Sequence, residues 1–373
     1  MMLGIITYHS AYNFGSALQA YATQQTLDIL GYQTEIINYR MEEQNYYYKK
    51  LYRSKYGAKQ FIKDLMQFPV HNERIERMAK FERFFTEYMH LSDEFAEPYD
   101  AKKMWDKYET VISGSDQIWN KHSFELKRND WKYMNPYLLE GYSGRKVSYA
   151  SSVANMTDDE LSRIIPYVKK FDSIAMREGE SAEKMSALLG RKIPSVLDPT
   201  FLLTKEDWIK ALDLKKTDEE PYILYYSLGG PKNVSIHKNA IKKLAKKRGC
   251  RVKMVTPSAL ISYPEGNFEN HPEYGPVDFL NAVMNAKAVI SDSYHGTILS
   301  VNFGKDVFSV CRSGGSEFRK TDILKKIGLE DRICTPDDIS GKEFDPIDYT
   351  AVYSKLDDLK GQSLDYLKNA LEK

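Results

Sequence analysis

The stretch VISDSYHGTILSV, residues 289–301, sets one histidine between a β-branched run and a helical pattern opening at Gly296 and Thr297. In a parallel sheet that is where ligands bind, beyond the carboxyl ends of strands, facing helix N-termini. The dipole there suits a phosphate or carboxylate, and an anion beside His295 favours its protonated form, giving a general acid. An ordinary hydrogen-bonded structural histidine is the competing reading.

Three further segments could carry chemistry. TYHSAYNFGS, residues 7–16, places Asn13, Gly15 and Ser16 after an apolar run and before a helix. Gly15 permits close backbone approach, and Asn13 or Ser16 can cap the helix or meet a ligand. GSDQIWN, residues 114–120, gathers Asp116, Gln117, Trp119 and Asn120. Carboxylate, amide and indole together make a rim for a sugar, unless Trp119 lies buried under a turn. Arg177 in SIAMREGES and the pair Arg312 and Arg319 in CRSGGSEFR offer guanidinium groups, which hold carboxylate or phosphate in a bidentate way. With His295 they point to a small, doubly anionic ligand.

The elements that must position these groups alternate. Residues 3–8 read as a strand, 17–30 as a helix closed by Gly31, and 34–39 as a second strand. Further strands are expected at 110–113, 146–150, 172–176 and 195–197, with a helix at 158–170. A second alternation follows a polar connection after Asp198-Pro199-Thr200. Its strands are expected at 222–228, 251–256, 288–291 and 307–310, and its helices at 233–248, 277–285 and 296–302. The expected architecture is α/β, two Rossmann-like domains facing each other across a cleft. They span 1–200, with a strand-free helical insertion at about 41–105, and 201–345, followed by a helical segment at 346–373 packed across the hinge.

Composition narrows the partners. At 373 residues the chain exceeds the ~250 to 300 that one core serves. Lys+Arg 53 against Asp+Glu 52 leaves +1, so no global field attracts nucleic acid. Cys250, Cys311 and Cys334 form no CxxC pair, which fits a reducing, cytoplasmic setting without bound zinc. No HExxH or cysteine cluster offers a metal site. The tyrosine- and lysine-rich YYYKKLYRSKYGAKQF in the insertion reads either as a surface leaning on membrane lipid or glycan, or as a solvated helical face.

TYHSAYNFGSALQAYA, VISGSDQIWN, SIAMREGES, SVLDPTFLL and AVISDSYHGTILSV, in this order, resemble the polysaccharide pyruvyl transferase family over about residues 1–330. The resemblance implies a GT-B-type fold. It also implies transfer of the pyruvyl group of phosphoenolpyruvate to two hydroxyls of a sugar, or of a lipid-linked oligosaccharide, as a cyclic ketal. His295 matches the family's histidine near the donor, and Arg177 an arginine that holds the donor's anionic groups. The donor set then comprises Arg177, Ser293, Tyr294, Gly296, Thr297, Arg319 and Arg312. The acceptor set comprises Asn13, Gly15, Ser16, Gln117, Trp119 and Asn120, with Asp116 the base for the sugar hydroxyl. Some members carry arginine where this chain has Ser293, so Arg319 or Arg312 would complete the donor clamp. Many relatives have an acidic residue after the first loop's glycine, and here Ser16-Ala17 follows. No cofactor is implied beyond phosphoenolpyruvate as co-substrate. A nucleotide-sugar glycosyltransferase of the same fold and a non-catalytic glycan-binding protein are the alternatives.

Overall fold

The computed structural model describes residues 2–127, 129–256, 268–310 and 318–372. They form two compact units. The first comprises Met1–Lys49, Phe85–Leu203 and Leu356–Lys373, and the second Lys50–Phe84 and Thr204–Lys355.

The first unit is built on strands β1 (Met2–Ile6), β2 (Gln33–Tyr39), β3 (Leu91–Phe95), β4 (Thr110–Asp116), β5 (Arg145–Ser151) and β6 (Ser173–Met176). They pair in the order β3-β2-β1-β4-β5-β6, every neighbour parallel. The second unit repeats the plan with β7 (Tyr222–Tyr226), β8 (Arg251–Val255), β9 (Phe268–Asn270), β10 (Ala288–Ser291), β11 (Asp306–Val310) and β12 (Ile333–Cys334). Its order, β12-β11-β10-β7-β8-β9, is the same sequence of strands within the unit, again all parallel. This is the doubly-wound dinucleotide-fold order, whose strand direction of travel reverses between the first and fourth strands. The switch points therefore lie between β1 and β4 and between β7 and β10.

Helices on both faces explain the composition of the central strands. All residues of β4 and β10 are buried, so TVIS and AVIS are near-continuous apolar runs rather than alternating ones. The helix after β1, Phe14–Ile29, is itself buried over most of its surface, in keeping with its alanine and glutamine content. Asn13 caps it, accepting from the Gly15 and Ser16 amides.

The structure departs from the sequence reading in four places. The region 41–105 is not strand-free, because β3 lies within it; only Ser92 of LSDEF is fully buried, so the strand shows no apolar signature. β3, β9 and β12 are all edge strands, where charge and brevity are tolerated because one side faces no neighbour. The strand expected at 195–197 is a single bridge between Met176 and Ser195. The polar connection contains a helix, Lys205–Leu212, started by a capping box between Thr204 and Asp207. Residues 50–84 cluster with the second unit, although the insertion was expected to belong wholly to the first.

Candidate functional site

Each unit collects polar groups at its own switch point. In the first unit the backbone itself is distorted there: φ is +24° at Ser115, +67° at Asp116, +54° at Ala150 and +45° at Ala154. Non-glycine residues in this region cost of order 1–3 kcal/mol each and persist where the surroundings over-determine them. The surroundings do so. Thr7 Oγ1 donates to the Ser115 carbonyl (3.1 Å), the Ser152 amide donates to the Asp116 carbonyl (3.0 Å), and β5 and β6 shift register between Ser148 and Ser151.

That distortion aims the Asp116 carboxylate. Ser16 Oγ donates to its Oδ2 (2.8 Å) and the Gln117 amide to its Oδ1 (2.8 Å). The Arg177 guanidinium lies 3.9 Å from Oδ1, and donates to Glu178 (3.0 Å) and Asp198 (3.1 Å). Asp198 is held in turn by the Thr200 amide and hydroxyl. One formal cation among three carboxylates is not an open anion clamp. Arg177, expected to hold the donor, is buried and engaged inside the protein, where it positions Asp116.

Of the expected acceptor residues, Asn13 and Gln117 keep partly open surface, whereas Gly15, Ser16 and Asn120 are buried. Ser16 still touches the site through its bond to Asp116, and Asn120 braces Gln117 by donating to its Oε1 (2.8 Å). Trp119 is corrected outright. Its ring is fully buried, edge-on to Phe171 at 5.3 Å, and its indole N–H donates to the Tyr137 carbonyl, so no face is left for a sugar.

Glu125 was not foreseen. It accepts a hydrogen bond from the Tyr48 hydroxyl (3.2 Å), and burial first, then the negative charge of Asp116, push its carboxyl up to about 7. The Asp116 charge thus lies close enough to Glu125 to help raise its carboxyl, and two carboxyl groups stand near one switch point. Its loop, KHSFELKRND, is simply charged, and only tertiary packing singles it out.

In the second unit Asp292 is the knot. Its carboxylate accepts from Ser227 Oγ (2.7 Å), the Leu228 and Gly229 amides (2.7 and 3.0 Å) and Asn233 Nδ2 (2.9 Å), fastening the β7 loop to the end of β10. The helix Tyr294–Asn302 begins immediately after. Its N-cap is Ser293, whose side chain receives the Gly296 amide and whose carbonyl receives the Thr297 amide. Gly296 and Thr297 are therefore corrected as amide donors to a ligand: both N–H groups are satisfied by Ser293. Gly296 is there for packing, since a Cβ would sit 2.3 Å from Ser291 Oγ and 2.6 Å from Tyr226 Cδ1. Thr297 is buried, its hydroxyl bonded to the Ser293 carbonyl (2.9 Å).

What the structure does bring together is Tyr294, His295 and Arg319. The Tyr294 and His295 rings meet edge to face at 5.2 Å, and the Arg319 guanidinium lies 5.9 Å from the Tyr294 ring centre. Lys320, the next residue, is buried with its ammonium donating to the Val310 and Asp292 carbonyls, so it closes the strand ends. Arg312, the other expected clamp residue, lies outside the described residues. Among the described residues no group of three or more His, Cys, Asp or Glu side chains is placed to hold a metal ion.

Two Rossmann-like domains in one chain define a GT-B-like protein. Over its full length the chain is similar to the MnaA–UDP co-structure from S. aureus, at 10% identity and a TM-score of 0.53, covering 100% of this chain and 96% of that one. It is likewise similar to a putative UDP-N-acetylglucosamine 2-epimerase from Listeria monocytogenes, at 9% identity and a TM-score of 0.51, with the same coverage of 100% and 96%. At such identities the likeness establishes fold alone. No curated protein matches the sequence. The polysaccharide pyruvyl transferase family model matches residues 13–312, and the chain belongs to that family.

Proposed function

We propose that the protein transfers the pyruvyl group of phosphoenolpyruvate to two hydroxyls of a sugar, in a surface polysaccharide or its lipid-linked precursor, forming a cyclic ketal. The carrying observation is the family match across residues 13–312, a span that contains Asp116, Glu125, Asp292 and His295. In this reading His295 protonates the methylene carbon of the enol phosphate. A sugar hydroxyl adds to the adjacent carbon, the carbon–oxygen bond to phosphate breaks, and the second hydroxyl closes the ring. Of the two hydroxyl protons, one balances the proton delivered to carbon and the other leaves with phosphate. The proton that balances the one delivered to carbon returns to His295, and Arg319 faces the donor's anionic groups. No step calls for a cofactor or a metal. Buried free thiols at Cys250 and Cys334 agree with a reducing, cytoplasmic setting.

The test is incubation of the full chain with phosphoenolpyruvate and β-galactoside or N-acetylhexosamine acceptors, scoring phosphate release together with the quaternary ketal carbon by NMR. Nucleotide sugars form the control arm, because one structural relative was solved with UDP. Turnover of nucleotide sugars alone overturns the proposal. His295→Asn is expected to lower kcat about 10²- to 10⁴-fold while acceptor binding is retained.

A further inference from the structure

The helix Ala58–Leu65 is amphipathic the wrong way round for a soluble domain. Phe61, Ile62, Leu65, Met66 and Phe68 are 40–64% exposed. Phe61, Ile62, Leu65 and Met66 cover an arc of about 140° on a helical wheel. Of its polar side chains Asp64 and Gln60 face inward. Asp64 is fully buried, accepts from the Arg53 amide (2.9 Å), from the Arg53 guanidinium and from Gln60 (2.9 Å), and anchors the helix by its charged face. Burial raises the Asp64 carboxyl, but Arg53 outweighs it and holds the group below the usual carboxylate range. The apolar arc is thereby fixed outward by an ion pair rather than left there by a loose segment.

Charge completes the pattern. Lys50, Lys55, Lys59 and Lys63 are exposed, and Asp64, the one carboxylate in residues 50–68, is taken by Arg53. A chain of net charge +1 thus concentrates cations beside its exposed apolar arc. We propose that this element docks on an anionic lipid bilayer, its apolar side chains entering the headgroup boundary and the lysines meeting lipid phosphates. A two-fold contact with a second copy is disfavoured by the same lysines, which would face one another across it. The inference does not depend on the identity of the donor.

The experiment is co-sedimentation of the full chain with phosphatidylcholine vesicles, with and without phosphatidylglycerol, at low and high salt. Binding is expected to the anionic vesicles and to weaken as salt screens the lysines. The exposed triple variant Ile62→Ser/Leu65→Ser/Met66→Ser is expected to lose about tenfold in partition with its urea midpoint unchanged. Lys55→Glu/Lys59→Glu/Lys63→Glu, folded by the same criterion, is expected to lose the preference for anionic lipid. The proposal is overturned if the wild type stays in the supernatant with anionic vesicles. It is equally overturned if the serine variant sediments like the wild type, or if the wild type is a dimer that this variant converts to monomer without any vesicle binding.

Discussion

Asp116 and Glu125 are the same functional group in two surroundings. Asp116 receives a hydroxyl and an amide and has a guanidinium near it, whereas at Glu125 burial and the Asp116 charge outweigh the Tyr48 hydroxyl, a backbone amide and Lys127. A folded-state value raised from 4.5 to about 7 means that the native protein binds the proton more tightly than the unfolded chain. The contribution to stability is then fully present below about 4.5 and is lost as pH rises through about 7. Glu125→Gln is expected to remove a decline of at most about 1.4 kcal/mol per pH unit across that window. Urea midpoints of both proteins at the two ends of the window check this, and parallel pH profiles would contradict it. At this scale the sequence was informative where chemistry is local. The place of His295, just past the end of β10 and in the first turn of the next helix, was legible from residue type and spacing. Trp119 and Glu125 were not, because which side of a loop faces the core is decided by residues far away in the chain.

The helix Tyr294–Asn302 was legible from its pattern, but the purpose of its first turn was not. A glycine after histidine at a strand end suggests room for a ligand, yet the room at Gly296 is filled by Ser291 and Tyr226. Gly296→Ala is accordingly expected to destabilise by about 1–3 kcal/mol through overpacking. Gly361, inside the helix Tyr349–Glu372, has nothing within 4 Å of where a Cβ would stand. Gly361→Ala is expected to stabilise by about 0.5–1 kcal/mol. Opposite shifts of the thermal midpoints verify the pair, and shifts of the same sign refute it. The central strands were readable because burial on both faces demands apolar residues. The edge strands were not, because pairing on one side alone leaves LSDEF free to carry charge.

The chain as a whole changes unit at 49/50, 84/85, 203/204 and 355/356, the second and fourth times within a helix. The last segment belongs to the first unit by specific bonds. Ser363 Oγ receives the Leu197 amide, Tyr366 donates to the Ser148 carbonyl, and Arg145 reaches the Ala370 carbonyl. Removing residues 356–373 is expected to unfold the first unit selectively, since it strips the cover from β5 and leaves a buried amide unsatisfied. Limited proteolysis with peptide mapping reads this directly: cleavage should appear in residues 1–49 and 85–203 ahead of 204–355. Two doubly-wound units were foreseeable from the alternation of elements, but not this interleaving, which no local pattern encodes. It bears on how such a catalyst could be re-engineered. A chimera joined at a single point near residue 203 would take residues 204–355 of the second unit from one parent and its 50–84 segment from the other, so exchanging a whole unit has to carry several splices at once.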